Sequence, residues 1–343
     1  MTDHTANPHI AVLGGGAWGT ALACVAAKAG GQDNPVTLWA REDSVVDSIN
    51  TQHVNTPFLP GIPLPAHIVA TTDIQQAAAA DIILAVIPTQ HMRASLAPLT
   101  ATLKTGTPIV LCSKGIEKGT GKLLSDVVNE VLPQAEPAIL SGPSFAKDVA
   151  IGLPTAVTLA ARTETLAAYL TNAIGLPTFR PYFSDDLIGA QMGGAIKNVL
   201  AIACGIVEGK NLGESARAAL TTRGFAEMVR FGEAMGAKAQ TIGGLSGLGD
   251  LVLTCSSPTS RNMSLGLELG QGKTLDDIMT TRTSVSEGVH TAPILVELAK
   301  QKGVDMPIAQ AVSDIVTGAQ DIDTAITNLL ARPFTAEHET LSL

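Results

Sequence analysis

Basic residues are scarce in this chain of 343 residues. Lys and Arg total 22 against 31 Asp and Glu, which gives a net charge of −9. No cluster of basic side chains is present, and such a cluster is what nucleic acid or an anionic membrane surface requires of a protein partner. We therefore expect neither partner. An anionic small substrate stays open, because a pocket can be locally positive on an acidic protein.

Cysteine is also sparse. Cys24, Cys112, Cys204 and Cys255 lie far apart, and no pair has the C-x-x-C spacing of metal ligands. We predict that they are small core residues with reduced thiols, which argues against a disulfide scaffold and predicts no metal site. Residues 1–9 show no basic stretch followed by an apolar one, so no signal peptide is evident. Together these absences predict a cytoplasmic protein.

Charged residues make up only 15% of the chain and hydrophobic residues 45%, which supports a large core and argues against disorder. The length suggests two domains. In the first half, short apolar runs alternate with helical stretches. Strands are predicted at 9–13, 36–40, 68–71, 82–87, 109–112, 138–140 and 155–160, with helices at 20–28, 73–80 and 123–131. This alternation predicts an α/β fold, with an N-terminal Rossmann-type domain built on a mainly parallel sheet.

Beyond about residue 185, strand-like runs become rare and helical periodicity dominates. Helices are predicted at 187–207, 216–235, 275–279, 292–302 and 305–317, with a loose tail at 336–343. The expected division is a dinucleotide-binding domain at 1–190 and an all-helical substrate domain at 191–343. The helix at 187–207 is apolar enough to suggest a membrane span. Its central Lys197-Asn198 pair and four glycines argue against stable membrane insertion.

A glycine motif follows the first predicted strand directly. Gly14-x-Gly16-x-x-Gly19 lies between that strand and an alanine-rich helix. In a dinucleotide site the first glycine permits the tight turn, the second admits a pyrophosphate, and the third allows close helix–strand packing. The helix N-terminus then offers amide donors to the phosphates. We favour dinucleotide binding over the alternative of a purely structural turn.

The tip of the second strand indicates which dinucleotide is bound. An acidic residue there would hold the ribose hydroxyls of NAD. Here the strand ends in Trp39-Ala40-Arg41, with Glu42 next. An arginine suits a 2′-phosphate through paired hydrogen bonds, so NADP(H) is favoured and use of NAD(H) stays open. The alternative is a solvated surface arginine.

Lys197 is the most informative single residue. Residues three and four positions away along its helix are small, including Gly193, Gly194 and Ala201. The ammonium therefore lies in a groove with room for another molecule, and an ammonium in such a setting loses its charge readily. We predict that Lys197 exchanges a proton with a substrate hydroxyl.

Four further segments carry candidate polar groups. Lys114 follows the strand at 109–112, and the turn at 141–146 follows the strand at 138–140, so both lie at the carboxyl edge of the sheet. Asp250 could orient a lysine, and Arg261 with its neighbours could bind a phosphate. Glu287 lies in a loop-like segment at 283–289 and could bond to a ribose or an amide. Each segment alone is equally compatible with an ordinary turn or a capped helix.

Taken together, these motifs resemble the bacterial-type NAD(P)-dependent glycerol-3-phosphate dehydrogenases. The resemblance runs from Gly14 to beyond Glu287 and includes Ser-Lys-Gly-Ile, Ser-Gly-Pro-Ser-Phe-Ala, Ile-Lys-Asn-Val, Gly-Leu-Gly-Asp-Leu, Ser-Arg-Asn and Ser-Glu-Gly-Val. It implies a C-terminal domain like that of 6-phosphogluconate dehydrogenase. It also implies reversible reduction of dihydroxyacetone phosphate to sn-glycerol 3-phosphate for glycerophospholipid synthesis.

The resemblance also assigns site residues. Lys197 would be the proton acceptor. The substrate would be bound by Lys114, Gly142, Ser144, Lys197, Asp250, Ser260, Arg261 and Asn262. The cofactor would contact Gly14, Gly16, Ala17, Trp18, Gly19, Arg41, Lys114, Ala146, Arg261, Val285 and Glu287.

The chain departs from the family pattern at two positions. Ala17 stands where many relatives have serine, so one hydroxyl contact is lost while the backbone amide stays. Asp148 replaces a frequent glutamate that has no assigned chemistry. The position of Arg41 varies among relatives, so the reaction is better defined than the choice between NAD and NADP.

Two alternatives stay open. One is a two-domain dehydrogenase of the same architecture acting on a hydroxy acid such as 6-phosphogluconate or pantoate. The other is a non-catalytic NADPH-sensing protein that contacts a partner through its helical domain. A homodimer is compatible with the apolar helical domain, although the sequence indicates no particular surface.

Overall fold

The computed structural model describes residues 7–282 and 286–334. Its strands form one eight-stranded sheet in the order β3-β2-β1-β4-β5-β6-β7-β8. The strands are β1 (Ile10–Leu13), β2 (Val36–Trp39), β3 (Ile68–Thr71), β4 (Ile82–Ala85), β5 (Pro108–Leu111), β6 (Glu136–Ser141), β7 (Thr155–Ala160) and β8 (Phe179–Ser184).

Within these residues, sixteen α-helices surround and follow the sheet. They are α1 (Ala17–Gly30), α2 (Asp43–Gln52), α3 (Ile74–Ala78), α4 (Met92–Leu96), α5 (Leu124–Val131), α6 (Ala146–Ile151), α7 (Glu164–Ile174), α8 (Leu187–Gly209), α9 (Glu214–Ala234), α10 (Ala239–Ile242), α11 (Asp250–Ser256), α12 (Arg261–Gly270), α13 (Leu275–Thr281), α14 (Glu287–Lys302), α15 (Pro307–Thr317) and α16 (Ile322–Leu330). A π-helical turn, Leu245–Gly249, leads directly into α11.

All neighbouring strands run parallel except β6 and β7. Strands β1, β4 and β5 are buried along their whole length, as expected for a parallel sheet covered on both faces. The strand order reverses at β1, which pairs with β2 on one side and β4 on the other. Ligands of open α/β sheets bind in the crevice at such a reversal, beyond the carboxyl ends of the strands. The predicted Rossmann-type sheet is confirmed.

The structure adds a strand that the sequence analysis did not predict and corrects the start of one helix. Strand β8 was not predicted, because only Phe179 within it is buried and Pro181 interrupts it. Such a pattern marks an edge strand rather than an apolar core strand. Helix α14 begins at Glu287 rather than at 292, so 287–289 is helical and not loop. Pro293 in its second turn resembles a helix start, which explains the late predicted boundary.

Helix α8 is the centre of the helical part. It contacts α9, α11, α12, α14 and α15. Its length and composition would permit a membrane span, but its apolar window is entirely buried inside the protein, as in the core helix of a soluble domain. The sheet ends at Ser184 and α8 begins at Leu187. The division at residue 190 remains a prediction, and that residue falls in the first turn of α8.

Helices α8 and α12 meet backbone to backbone. A Cβ atom on Gly205 would lie 2.1 Å from the carbonyl oxygen of Met263, and one on Gly266 would lie 2.0 Å from that of Ile202. Only glycine permits this approach. The contact fixes the N-terminus of α12, which carries Arg261, beside the middle of α8, which carries Lys197. The four cysteines are buried and free, as predicted.

Candidate active site

Lys197 lies on α8 with only 10% of its side chain exposed. Its Nζ donates to Thr254 Oγ1 at 2.9 Å and lies 3.3 Å from Asp250 Oδ1. Thr254 Oγ1 in turn donates to Asp250 Oδ1 at 3.1 Å. Burial lowers the pKa of Lys197 to about 8, although the Asp250 carboxylate opposes the shift. An amine with a pKa near neutrality can both accept and donate a proton under physiological conditions.

Asp250 joins two lysines. Its side chain is 2% exposed, and its Oδ2 accepts a hydrogen bond from Lys114 Nζ at 2.5 Å. Lys114 also donates to the carbonyl oxygen of Gly142 at 3.1 Å. Burial acts to raise the pKa of Asp250, but the two ammonium groups outweigh it and the pKa is lowered. Two cations therefore share one anion, and the surplus positive charge suits an anionic substrate.

A chain of asparagine side chains joins α8 to the surrounding segments. Asn198 Nδ2 donates to the carbonyl oxygen of Lys114 at 3.2 Å. Asn262 Nδ2 donates to Asn198 Oδ1 at 2.9 Å, and Asn262 Oδ1 accepts from Gly288 N at 3.1 Å. These bonds hold the starts of α12 and α14 and the loop after β5 in a fixed arrangement around Lys197. Asn262 therefore lies beside the cluster, and its contact with a substrate stays a prediction.

Arg261 begins α12, where the Ser260 hydroxyl caps the helix by accepting from Met263 N at 3.3 Å. Within the described residues its guanidinium makes no ion pair, and the side chain is exposed. Although Arg261 is exposed to solvent, partial loss of hydration beside the surrounding protein lowers its pKa, and the Glu287 carboxylate acts in the opposite sense. An arginine keeps its charge at physiological pH, and among the described residues none accepts a hydrogen bond from this guanidinium. This geometry fits a phosphate group.

The turn at 141–146 contacts the Lys114 side chain. Ser144 Oγ donates to Gly142 O at 3.0 Å, so one carbonyl oxygen receives both the serine and the lysine. A Cβ on Gly142 would lie 2.9 Å from Val157 Cα. Glycine is therefore required by packing against β7. Ala146 begins α6.

The three motif glycines differ in their surroundings, and their roles toward a cofactor stay predictions. Gly14 has φ +131°, and a Cβ there would lie 2.6 Å from the carbonyl oxygen of Val86. A Cβ on Gly19 would lie 1.8 Å from the carbonyl oxygen of Gly14. A Cβ on Gly16, in contrast, would have none of the described protein atoms within 4 Å apart from its chain neighbours. The space above Gly16 and the side-chain-uncapped start of α1 at Ala17 and Trp18 fit the pyrophosphate of a dinucleotide.

Two charged residues flank this crevice. Arg41, just beyond β2, has a side chain 80% exposed and pairs with Glu42 at 2.9 Å. Glu287 at the start of α14 accepts from Thr89 N at 2.9 Å through Oε1. Burial raises the pKa of Glu287, and the bond from Thr89 partly offsets the shift. Val285, predicted to contact the cofactor, lies outside the described residues.

Sequence reasoning missed Thr254 and Asn198 as parts of the cluster. Thr254 had a detectable signal, since it lies four residues after Asp250 on one helix and so shares its face. Asn198 directly follows Lys197 but was not predicted to bridge α8 to Lys114. In residues 7–282 and 286–334, no group of three His, Cys, Asp or Glu side chains is placed to hold a metal.

Comparison with known proteins agrees with this geometry. The family model described as "NAD-dependent glycerol-3-phosphate dehydrogenase N-terminus" matches residues 9–167, and the corresponding C-terminus model matches 186–327. A glycerol-3-phosphate dehydrogenase [NAD(P)+] of Parvibaculum lavamentivorans is 62% identical over 328 residues, covering 96% of this chain and 98% of the relative. The chain belongs to the glycerol-3-phosphate dehydrogenase family.

Other glycerol-3-phosphate dehydrogenases are also similar to this chain. The [NAD(P)+] enzyme of Maricaulis maris is 57% identical, covering 96% of this chain and 98% of its own. The crystal structure of a glycerol-3-phosphate dehydrogenase from Coxiella burnetii superposes with a TM-score of 0.90 at 38% identity, covering 95% of this chain and 99% of that one. The predicted family is confirmed, and the roles of individual residues stay predictions.

Proposed function

We propose that the protein catalyses reversible hydride transfer between NAD(P)H and dihydroxyacetone phosphate, giving sn-glycerol 3-phosphate. The observation that carries this proposal is the Lys197 amine, buried, with a pKa near 8, and held by Asp250 and Thr254. We also propose that the enzyme acts in the cytoplasm, supplies the backbone of glycerophospholipids, and forms a homodimer.

The residues of the glycine turn fit a dinucleotide. Gly14 and Gly19 close the turn, Gly16 leaves room for the pyrophosphate, and the amides of Ala17 and Trp18 open α1. Arg41 would bind a 2′-phosphate, while Ala146 and Glu287 would contact the cofactor further along the cleft. When bound, the nicotinamide supplies or accepts the hydride. All other steps belong to the protein's own side chains.

Lys197 would take the proton of the substrate C2 hydroxyl in oxidation and return it in reduction. Asp250 and Thr254 would hold the Nζ in place, since both lie within 3.3 Å of it. Lys114 would add positive charge where negative charge develops on the C2 oxygen. Fixing these groups in one cleft lowers the entropic part of the barrier.

Arg261 would bind the phosphate group, helped by Ser260 and Asn262 at the start of α12. Gly142 and Ser144 would line the opposite wall. Because the phosphate is remote from C2, its binding energy would set the register of the substrate against Lys197. The surplus positive charge of the Lys114–Asp250–Lys197 cluster further favours an anionic substrate.

The direct test is a substrate panel with purified protein, following nicotinamide absorbance. We expect dihydroxyacetone phosphate to be reduced with NADPH and with NADH. Preferred turnover of 6-phosphogluconate or ketopantoate would replace the proposal with a hydroxy-acid dehydrogenase. Tight NADPH binding with no turnover of any substrate would indicate the sensing protein.

Substitution of Arg41 tests the cofactor preference. Arg41→Ala should raise KM for NADPH by about 10–100-fold, the value of charged hydrogen bonds to a phosphate, and change KM for NADH little. Glu42→Gln is the matched control, because it removes the present partner of Arg41 while keeping the guanidinium. The KM of Glu42→Gln for NADPH should not rise. Equal losses for both cofactors in Arg41→Ala would show that Arg41 does not bind the 2′-phosphate.

A further inference from the structure

Asn55 is fully buried behind the glycine turn, in the segment between α2 and β3. Its Nδ2 donates to the carbonyl oxygen of Gly15 at 2.8 Å and to Thr20 Oγ1 at 2.7 Å. The Thr20 hydroxyl lies 3.4 Å from the same carbonyl. The segment that carries Asn55 is itself folded tightly, since the Asn55 carbonyl accepts from Leu59 N at 2.7 Å. The amide is thus a fixed donor aimed at one peptide of the turn.

That peptide joins Gly15 to Gly16. In a planar trans peptide the C=O and the following N–H point in opposite directions, and no cis peptide occurs in the described chain. Because the Gly15 carbonyl points inward to Asn55, the Gly16 N–H points away from the buried amide. Gly16 borders open space, since a Cβ added there would meet no described protein atom within 4 Å other than its chain neighbours.

Glycine makes this orientation hard to keep without help. Neither Gly15 nor Gly16 has a Cβ, so the peptide between them can rotate more freely than one between other residues. Gly15 packs closely on one side, since a Cβ there would lie 2.5 Å from Ala40 Cβ. That contact excludes side chains but makes no hydrogen bond. Asn55 supplies the directional bond.

We propose that Asn55 is a positioning residue for the cofactor: it holds the Gly15–Gly16 peptide with its N–H directed at the pyrophosphate. This inference rests on the proposed function only for the identity of the ligand. Both NADPH and NADH carry the pyrophosphate, so Asn55 acts on both alike, unlike Arg41. It has no effect on the Lys197 chemistry.

Asn55→Leu tests this, because leucine has nearly the same size and has no donor. The Gly15 carbonyl then lacks its amide partner, and we expect the Kd of NADPH and of NADH to rise about tenfold or more, the effect of one lost buried hydrogen bond. At saturating cofactor, kcat and KM for dihydroxyacetone phosphate should stay within about threefold of the wild type. Unchanged Kd values would overturn the proposal.

Asn50→Leu is the matched control. Asn50 lies on α2 and, like Asn55, makes two side-chain hydrogen bonds. It donates to Ala70 O at 3.0 Å and accepts from Ala70 N at 2.8 Å. Asn50→Leu should lower Tm without changing the Kd of NADPH or of NADH. If Kd rises as much in Asn50→Leu as in Asn55→Leu, the role of Asn55 is only structural.

Asn55→Asp covers the case in which the leucine variant does not fold. Its carboxyl donates to Gly15 O only when protonated, so its NADH affinity relative to the wild type should recover as the pH falls from about 8 to about 6. No recovery would count against the proposal. Kd values come from NAD(P)H fluorescence and need no turnover. If the wild type binds NADPH but does not reduce dihydroxyacetone phosphate, the proposed function is refuted. The proposal for Asn55 would still stand.

Discussion

Replacing Lys197 with methionine should lower kcat by about 10²–10⁴-fold in both directions, the usual contribution of a general acid–base. Methionine fills nearly the same volume in the groove on α8 and removes only the amine. Asp250 keeps Lys114 as its partner at 2.5 Å, so the cluster retains a paired carboxylate. Cofactor Kd should change little. A variant that retains a tenth or more of wild-type kcat would remove Lys197 from the chemistry.

The pH dependence of kcat/KM in the wild type is a second test of the role of Lys197. Oxidation needs the neutral amine, so kcat/KM for glycerol 3-phosphate should rise as pH passes through about 8. Reduction needs the ammonium, so kcat/KM for dihydroxyacetone phosphate should fall over the same range. Burial lowers the Lys197 pKa, Asp250 raises it, and Lys114 lowers it further. Lys197→Met should abolish both dependences.

Lys238→Met is the matched control for the loss of an ammonium. Lys238 pairs with Asp185 at 2.6 Å, but both side chains are largely exposed. Exposed pairs contribute little to stability, and this one is not part of the Lys197 cluster. Its kcat and pH profile should match those of the wild type. A comparable loss of kcat would mean that the effect of Lys197→Met is not specific to the buried amine.

The sheet was predictable because its core strands are short and apolar throughout. Parallel strands buried on both faces need such runs, and helices must lie between them. Strand β8 escaped prediction because an edge strand with Pro181 needs no apolar run. Tertiary context alone makes it a strand, since it pairs with β7 through six residues from Phe179 to Ser184.

The site was predictable where its chemistry is local. The glycine turn and Lys197 each stand out within about ten residues, because a helix start and a buried charge have strong sequence signatures. The link between Lys114 and Asp250 crosses 136 residues, and spacing alone cannot indicate it. From the residues alone, Asp250 was predicted to orient one lysine, and the family resemblance added a substrate contact. The structure shows that Asp250 is shared by two.

Asp250 pairs with both Lys114 and Lys197. After loss of Lys197 itself, we therefore expect loss of the Asp250 carboxylate to lower activity most. Asp250→Asn keeps the shape but leaves two ammonium groups close together without a counter-charge in a buried site. Removing one partner of a buried pair typically costs about 3–5 kcal/mol of stability. The Lys197 pKa should fall below about 8, because the remaining influences of burial and Lys114 both lower it. Reduction at neutral pH then loses its proton donor, and kcat should drop by about 10²-fold or more.

The decisive measurement is the shift of the pH profile rather than the loss of rate. In Asp250→Asn, the pH at which reductive kcat/KM falls should move to a lower value, whereas a merely unfolded fraction would scale the whole profile without moving it. Asp185→Asn is the control, since it removes a carboxylate from an exposed Lys–Asp pair of similar length. It should leave both profile and Tm nearly unchanged. An unshifted profile in Asp250→Asn would mean that Asp250 does not set the proton affinity of Lys197, and that its role is confined to holding Lys114 and Thr254 in place.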